Sequence, residues 1–129
     1  MTTSADGSGP RILVIEDDET ILGLIEAVLM EEGFTVDAAL SGQQALDLDC
    51  SHSPAMVVLD MFLPGISGAE LAEALRAKYG AGLPILVTSA SNVRAQARAL
   101  GAHYLPKPFE LVDLMEAVHQ ALHETDGAR

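Results

Sequence analysis

The stretch RILVIEDDE, residues 11–19, decides the fold, because a short apolar run ends there in four consecutive acidic side chains. The run at residues 12–15 is rich in β-branched side chains and lies between polar residues, which predicts a strand buried on both faces of a parallel sheet. Similar runs occur at residues 56–59 and 85–87. The sequence therefore predicts three central strands of a parallel sheet.

Two other segments suit the edges of that sheet. Residues 34–38, FTVDA, alternate between apolar and polar side chains, which is typical of a strand with one wet face. Residues 102–105, AHYL, end at Pro106, which has no N–H to donate to a neighbouring strand and is therefore favoured at an edge.

Helices are predicted in the segments between the strands. SGQQ at residues 41–44 and SGAE at residues 67–70 have the spacing of capping boxes, which open helices. Apolar side chains also recur at helical spacing in three segments: Ile21, Leu24, Ile25 and Val28 before Gly33; Val93, Ala97 and Leu100 before Gly101; and Leu111, Met115, Val118 and Leu122. Five strands alternating with five helices predict an α/β fold, a (βα)5 flavodoxin-like doubly wound parallel sheet with strand order 2-1-3-4-5.

Composition narrows the class of protein. The 129 residues predict one domain, and 19 acidic against 7 basic side chains give a net charge of -12, which argues against direct nucleic-acid binding. Cys50 is the only cysteine, so no disulfide can form within the chain, and this fits a reducing cytoplasm. No apolar run approaches the roughly 20 residues of a membrane span. We therefore expect a soluble, cytoplasmic protein without membrane contact.

Polar side chains follow the predicted strands at one edge of the sheet. Residues 16–19 follow strand 1, Asp60 follows strand 3, Thr88 follows strand 4 and Lys107 follows strand 5. Carboxylates that meet there repel each other, at about 1 kcal/mol for each pair about 4 Å apart in water. Mg²⁺ would remove that cost, because it binds through one or two carboxylates and water. A carboxylate beside a metal ion, a hydroxyl and an ammonium group can accept a phosphoryl group.

Four stretches in order carry a resemblance to a known family: RILVIEDDE, LDMFLPGISG, PILVTSA and YLPKPF. Through them the chain resembles the receiver domain of two-component response regulators. The resemblance covers residues 11–123, so residues 1–10 are expected to form a flexible leader and residues 124–129 a frayed tail. It leaves no room for an effector domain, so the chain is either a stand-alone receiver or a part of a larger regulator or hybrid kinase.

The resemblance implies a phosphoacceptor and a metal site. Asp60 resembles the phosphoacceptor, so a phosphorylated aspartate is the expected product. Glu16 and Asp17 resemble the acidic pair that binds Mg²⁺, with Asp17 a direct ligand and Glu16 acting mainly through water; Mn²⁺ is the alternative metal. The backbone carbonyl of Phe62 resembles the third protein ligand.

The resemblance also implies a switch and its partners. Thr88 resembles the switch hydroxyl, Tyr104 the switch aromatic, and Lys107 the lysine that pairs with the phosphoryl group; the Lys107–Pro108 bond is expected to be cis. The implied phosphodonor is a phosphohistidine on a histidine kinase or a histidine phosphotransfer protein. The surface of helix 4, strand 5 and helix 5 would then change for a downstream effector, and dimerisation is left open.

One departure from the family predicts a long-lived signal. In the family, the residues two after the acceptor and two after the switch hydroxyl help to control the hydrolytic water. Here these residues are Phe62 and Ala90, and neither side chain can orient a water by hydrogen bonding. We therefore expect slow self-dephosphorylation.

Simpler interpretations exist for single residues. Thr88 alone could be a strand hydroxyl, and Tyr104 alone an aromatic residue of an edge strand. Arg94 and Arg98 share one helical face and are expected to be solvated. His119 and His123 have a spacing compatible with a metal, but no third ligand is in view, so a solvated helix face is expected there.

Three other function classes compete with the receiver interpretation. A pseudo-receiver scaffold that works without phosphorylation is the main alternative, although the acids, the hydroxyl and the lysine are all present. An aspartate-nucleophile phosphatase would typically carry Asp-x-Asp after a strand, whereas Phe62 stands at that second position. A flavin carrier is disfavoured because the loop after strand 1 is acidic and would repel a flavin phosphate.

Overall fold

The computed structural model describes residues 9–48 and 53–127, so Cys50 and most of the predicted leader lie outside the described residues. Within them, strands and helices alternate along the chain. The strands are β1 Arg11–Ile15, β2 Thr35–Ala39, β3 Met56–Asp60, β4 Ile85–Ser89 and β5 His103–Pro106. The helices are α1 Glu19–Glu31, α2 Gly42–Asp47, α3 Gly68–Tyr79, α4 Arg94–Ala99 and α5 Leu111–Gly127.

All five strands pair in parallel, in the order β2-β1-β3-β4-β5, which confirms the predicted fold and strand order. Pro106 is the last residue of β5 and pairs with Ser89, whereas the sequence had placed it just after the strand. At the other end of the chain, α5 continues to Gly127, beyond the expected domain end at residue 123.

The core consists of one apolar cluster on each face of the sheet. Alternate residues of a strand point to opposite faces, so Leu13 and Ile15 of β1 join the cluster under α2, α3 and α4, while Ile12 and Val14 join the cluster under α1 and α5. The residues of β3 and β4 divide in the same way. This explains why residues 12–15, 56–59 and 85–87 of the central strands are all apolar. The polar side chains of these strands, Arg11, Asp60, Thr88 and Ser89, lie at the strand termini.

The buried faces of α1 and α5 differ from those predicted. On α1, Leu24 is 52% exposed and Leu22 and Leu29 are buried instead. On α5, the predicted Val118 is buried and Met115 and Leu122 pack against the core, but Leu111 is 42% exposed. The other fully buried side chains of α5 are Leu114 and Ala121, which were not predicted. Both helices carry apolar residues in more than one helical frame, so periodicity alone could not select the stripe that faces the sheet.

Side-chain caps fix where α1, α2 and α3 begin. Asp18 accepts hydrogen bonds from the N–H groups of Thr20 and Ile21, and the predicted capping box between Ser67 and Glu70 is present. The second predicted capping box is wrong in one bond. Ser41 accepts from the Gln44 N–H as expected, but the Gln44 side chain accepts from the N–H of Leu40, one residue before the cap.

Within the described residues, no helix is both long and apolar enough to cross a membrane.

A test of the fold follows from Gly68, the first residue of α3. A Cβ atom there would meet Met61 Sδ and lie 2.7 Å from the Met61 backbone oxygen. We expect Gly68→Ala to lower the free energy of unfolding by about 1–3 kcal/mol, the usual cost of overpacking. Urea denaturation measures this change.

Gly23→Ala is the matched control, because a Cβ atom at Gly23 in α1 would have nothing within 4 Å. It should raise the free energy of unfolding by about 0.5–1 kcal/mol, since alanine is the better helix former. Equal effects of the two substitutions would contradict the assigned contact between Gly68 and Met61.

Candidate functional site

The carboxyl ends of β1 and β3 bring three acidic side chains together. Glu16 and Asp17 follow β1, and Asp60 is the last residue of β3. Each offers one carboxylate oxygen, and these three oxygens lie within 4.8 Å of one another. The structure thus places the three predicted acids in a single cluster.

Lys107 joins this cluster from the end of β5. Its Nζ donates to Glu16 Oε1 at 2.8 Å and to Asp60 Oδ2 at 3.3 Å. Its backbone N–H donates to the Ser89 carbonyl at 2.8 Å, which fixes the lysine at the end of the sheet. The Lys107–Pro108 peptide bond is cis, as expected from the sequence.

Burial sets the electrostatics of the cluster. Glu16 is 2% exposed and Asp60 is 7% exposed, whereas Asp17 is exposed to solvent. Burial raises the pKa of Glu16, and the nearby Asp60 charge adds to this, although hydrogen bonds from Lys107 and the Asp18 N–H act in the opposite direction. Burial lowers the pKa of Lys107, but its hydrogen bond to Glu16 and the charges of Asp60 and Glu16 outweigh that effect, so its pKa is raised. Lys107 therefore keeps its positive charge beside two buried acids.

Thr88 lies on the strand next to Asp60. The two residues are paired in register between β3 and β4, and Thr88 is 1% exposed. Asp60 Oδ1 accepts a hydrogen bond from the N–H of Phe62 at 3.2 Å, so each carboxylate oxygen of Asp60 has its own donor. The Phe62 side chain itself is 61% exposed.

The acidic cluster fits a small, hard cation. Its donors are all carboxylate oxygens that lie within 4.8 Å of one another, and ligands of octahedral Mg²⁺ are at most about 4.2 Å apart. Exposed Asp17 leaves one side open for the water ligands that Mg²⁺ retains. Glu16, Asp17 and Asp60 could therefore hold the ion with only small movements.

Two clefts border the cluster. Lys107 lines a cleft of about 300 Å³ together with Ala90 and the apolar residues of α1 and the β5–α5 loop. Asp17 and Phe62 line a second cleft of about 400 Å³, which extends to Gln96 on α4. Asp17 and Lys107 are thus reachable from a cleft, whereas Glu16 and Asp60 lie nearly fully buried beside them.

Tyr104 lies outside the acidic cluster. It is half-buried on β5, and its hydroxyl donates to the Ser91 carbonyl at 3.0 Å, in the loop between β4 and α4. The Arg94 guanidinium carbon lies 5.2 Å from the centre of the Tyr104 ring. Arg94 is exposed as predicted, but its contact with Tyr104 was missed, because a cation–π pair has no local sequence signal.

The contacts of Arg76 were not predicted from the sequence either. This side chain on α3 donates to three backbone carbonyls, those of Leu83, Leu100 and Gly101. The acceptors are backbone atoms 7 to 25 residues away along the chain, so no sequence motif indicates these contacts. Arg76 contacts the end of α4 that lies farthest from the acids.

Comparisons with known proteins agree on a family. The family model described as the response regulator receiver domain matches residues 12–119. Response regulator MprA of Mycolicibacterium vanbaalenii is 39% identical over 125 residues, covering 92% of this chain and 54% of that protein. The alkaline phosphatase synthesis transcriptional regulatory protein SphR of Synechococcus elongatus is 39% identical over 130 residues, covering 91% and 50%. The chain thus spans about half the length of these curated relatives.

Solved structures show the same similarity. Response regulator protein TrrA from Thermotoga maritima, in complex with Mg(2+)-BeF, is 35% identical with a TM-score of 0.76, and the match covers 88% of this chain and 99% of that one. A CheY-like response regulator receiver domain protein from Methanospirillum hungatei is 25% identical with a TM-score of 0.84, covering 95% and 100%.

Metal binding by the acidic cluster can be tested through thermal stability. A ligand that binds only the folded chain raises its melting temperature, so we expect Mg²⁺ to raise it for the wild-type chain. Asp17→Asn should lose most of that rise, because it removes the carboxylate that faces solvent. Calorimetry or circular dichroism with and without MgCl₂ measures the difference.

Asp18→Asn is the control for charge alone. Asp18 is an exposed neighbour outside the cluster, and asparagine preserves its role as the cap of α1. This variant should respond to Mg²⁺ as the wild-type chain does. A Mg²⁺-dependent rise of the same size in Asp17→Asn would exclude Asp17 as a ligand.

Proposed function

This chain belongs to the response regulator receiver domain family of two-component systems, and we propose that Asp60 accepts a phosphoryl group from a phosphohistidine. The observation that carries this proposal is the double contact of Lys107 Nζ with Glu16 and Asp60. That contact puts a permanent positive charge against the carboxylate that would react, at a site open to two clefts.

The proposed reaction transfers one phosphoryl group between two side chains. A carboxylate oxygen of Asp60 attacks phosphorus in line with the bond to the donor's imidazole nitrogen. The P–O bond forms as the P–N bond breaks, and the imidazole leaves with the electron pair of that bond. Lys107 remains protonated and neutralises part of the charge on the phosphoryl oxygens.

The remaining site residues have positioning roles in this proposal. Glu16 holds the ammonium group of Lys107 next to Asp60, and the Phe62 N–H fixes the other Asp60 oxygen. Mg²⁺, or Mn²⁺ in its place, would be held by Glu16, Asp17, Asp60 and the Phe62 carbonyl, and would neutralise charge on the phosphoryl oxygens. The chain assists its own phosphorylation and dephosphorylation but acts as a signalling domain.

Thr88 and Tyr104 would convert phosphorylation into a change of surface. The Thr88 hydroxyl moves to donate to a phosphoryl oxygen, and Tyr104 turns inward into the space vacated. That turn breaks the Tyr104 contacts with Ser91 and Arg94. Phosphorylation thereby shifts an existing equilibrium between two forms of the surface made by α4, β5 and α5.

The donor is a histidine kinase or a histidine phosphotransfer protein, and a downstream effector binds the surface of α4, β5 and α5, where dimerisation could also occur. Residues 11–123 form the receiver domain, between a leader at residues 1–10 and a tail at residues 124–129. The net charge of -12 argues against direct contact with nucleic acid. The single cysteine fits a location in the reducing cytoplasm, and no contact with a membrane is proposed.

Asp60→Asn tests the acceptor. With Mg²⁺ and acetyl phosphate, we expect the wild-type chain to gain the mass of one phosphoryl group and Asp60→Asn to gain none, because an amide oxygen is a poor nucleophile. Intact-mass spectrometry measures both. Asp113→Asn, an exposed aspartate of α5, should gain the group normally.

Two outcomes of this experiment would contradict the proposal. Uptake of a phosphoryl group by Asp60→Asn would exclude Asp60 as the acceptor. A wild-type chain that binds Mg²⁺ but gains no mass from acetyl phosphate or a phosphohistidine protein would instead favour the phosphorylation-independent scaffold.

The lifetime of the phosphoryl group tests the role of Phe62. Phe62 and Ala90 offer no side-chain hydrogen bond to an attacking water, so loss of phosphate from the purified chain should take far longer than seconds. Phe62→Asn should shorten that lifetime severalfold, while Phe62→Leu should leave it unchanged. Loss within seconds from the wild-type chain would contradict this prediction.

A further inference from the structure

The helix α4 runs from the carboxyl ends of the strands back to their amino ends. It follows β4, which ends at the acidic cluster, and it precedes β5, which begins at the opposite end of the sheet. Its first residue therefore lies near the site and its last residue lies far from it. The two ends of α4 are held by different side chains, Tyr104 at the near end and Arg76 at the far end.

Arg76 holds the far end of α4 through hydrogen bonds. Its Nε donates to the Leu83 carbonyl at 3.1 Å, just before β4, and its two terminal nitrogens donate to the carbonyls of Leu100 and Gly101, just after α4. Hydrogen bonds from a charged donor are about twice as strong as neutral ones. The Ala102 N–H also donates to the Ala97 carbonyl at 2.9 Å. One guanidinium group thus ties α3, the start of β4 and the end of α4 together.

At the near end, Tyr104 supplies the described polar contacts with β5, while Val93, the residue before α4, is buried in the core. The Tyr104 hydroxyl holds the Ser91 carbonyl, and its ring lies against Arg94. Other side-chain hydrogen bonds described there are local, from the Ser91 N–H to Ser89 Oγ and from the Arg94 N–H to Asn92 Oδ1. If Tyr104 turns away, this end loses both described contacts with β5, whereas the contacts of Arg76 are untouched.

We propose that Arg76 is the fixed pivot of α4, so that the movement caused by phosphorylation is largest at residues 90–94 and vanishes at the far end of the helix. This inference rests on the proposed function, because it takes Tyr104 as the group that moves. Six residues at about 1.5 Å each make a helix about 9 Å long, so a tilt of about 20° around its far end would move the near end by about 3 Å. Arg76 thus acts as a positioning residue that selects which part of the surface responds.

Hydrogen exchange with and without phosphorylation tests the pivot. The wild-type chain is phosphorylated with acetyl phosphate and Mg²⁺, its mass confirms the phosphoryl group, and backbone exchange is followed by mass spectrometry. We expect phosphorylation to speed exchange severalfold at residues 90–94 and to leave residues 100–102 unchanged. In Arg76→Met the phosphorylation-dependent difference should spread to residues 100–102.

The difference between the two states separates a pivot from a merely stabilising residue. If Arg76 only stabilised the fold, Arg76→Met would speed exchange at residues 100–102 equally with and without the phosphoryl group, and the proposal would be overturned. A phosphorylation effect at residues 100–102 of the wild-type chain would overturn it as well. Failure to gain the phosphoryl group would count against the proposed function, which the mass reports separately.

Two further variants keep the test interpretable. Arg98→Met is the matched control, because Arg98 is an exposed arginine of α4 itself, and its exchange pattern should equal that of the wild-type chain. Arg76→Lys serves if Arg76→Met fails to fold, since a lysine cannot span three carbonyls as the planar guanidinium does. The lysine variant should show an intermediate spread of the phosphorylation effect, and a wild-type pattern in it would contradict the pivot.

Discussion

The ammonium group of Lys107 between Glu16 and Asp60 is the interaction on which the site depends. Two carboxylates that are nearly fully buried side by side would be costly without a positive partner, through lost hydration and mutual repulsion. Lys107 supplies that charge from β5, while its backbone is bonded to β4. A single side chain therefore links the carboxyl ends of β1, β3 and β5. The ion pairs that set the chemistry of the site also hold these strand ends together.

The location of the site follows from the division of the core. Each central strand contributes alternate residues to an apolar cluster on either face, so the polar residue of β1 is confined to its first position, Arg11, and the polar groups of β3 and β4 are confined to their carboxyl ends. Asp60 is the last residue of β3, and its partner Thr88 is the last but one of β4. The same constraint that makes the sheet stable thus concentrates reactive groups along one edge.

The sequence predicted the features that local patterns of residues encode. The strand order, the cluster of Glu16, Asp17 and Asp60, and the approach of Lys107 followed from apolar runs and from the residues at their ends. The predictions were wrong where the packing between elements decides which face of a helix is buried. Leu24 and Leu111 face solvent because the sheet selects one of two apolar stripes on each helix. The Gln44 side chain bonds one residue away from its predicted partner. The contacts of Arg76 join backbone carbonyls, which carry no residue identity, so no sequence pattern could indicate them.

Pro106 has a consequence for how this chain can assemble. The Lys107 N–H points toward β4, so the residue before it faces the outer edge of the sheet, and proline offers no donor there. At the opposite edge, Asp37 on β2 is charged and paired with Arg11. Both outer strands thus resist the addition of another strand, which is the common route to edge-to-edge aggregation. Association with this domain is therefore left to its helices and loops, and the sheet stays closed to extension even when its surface changes.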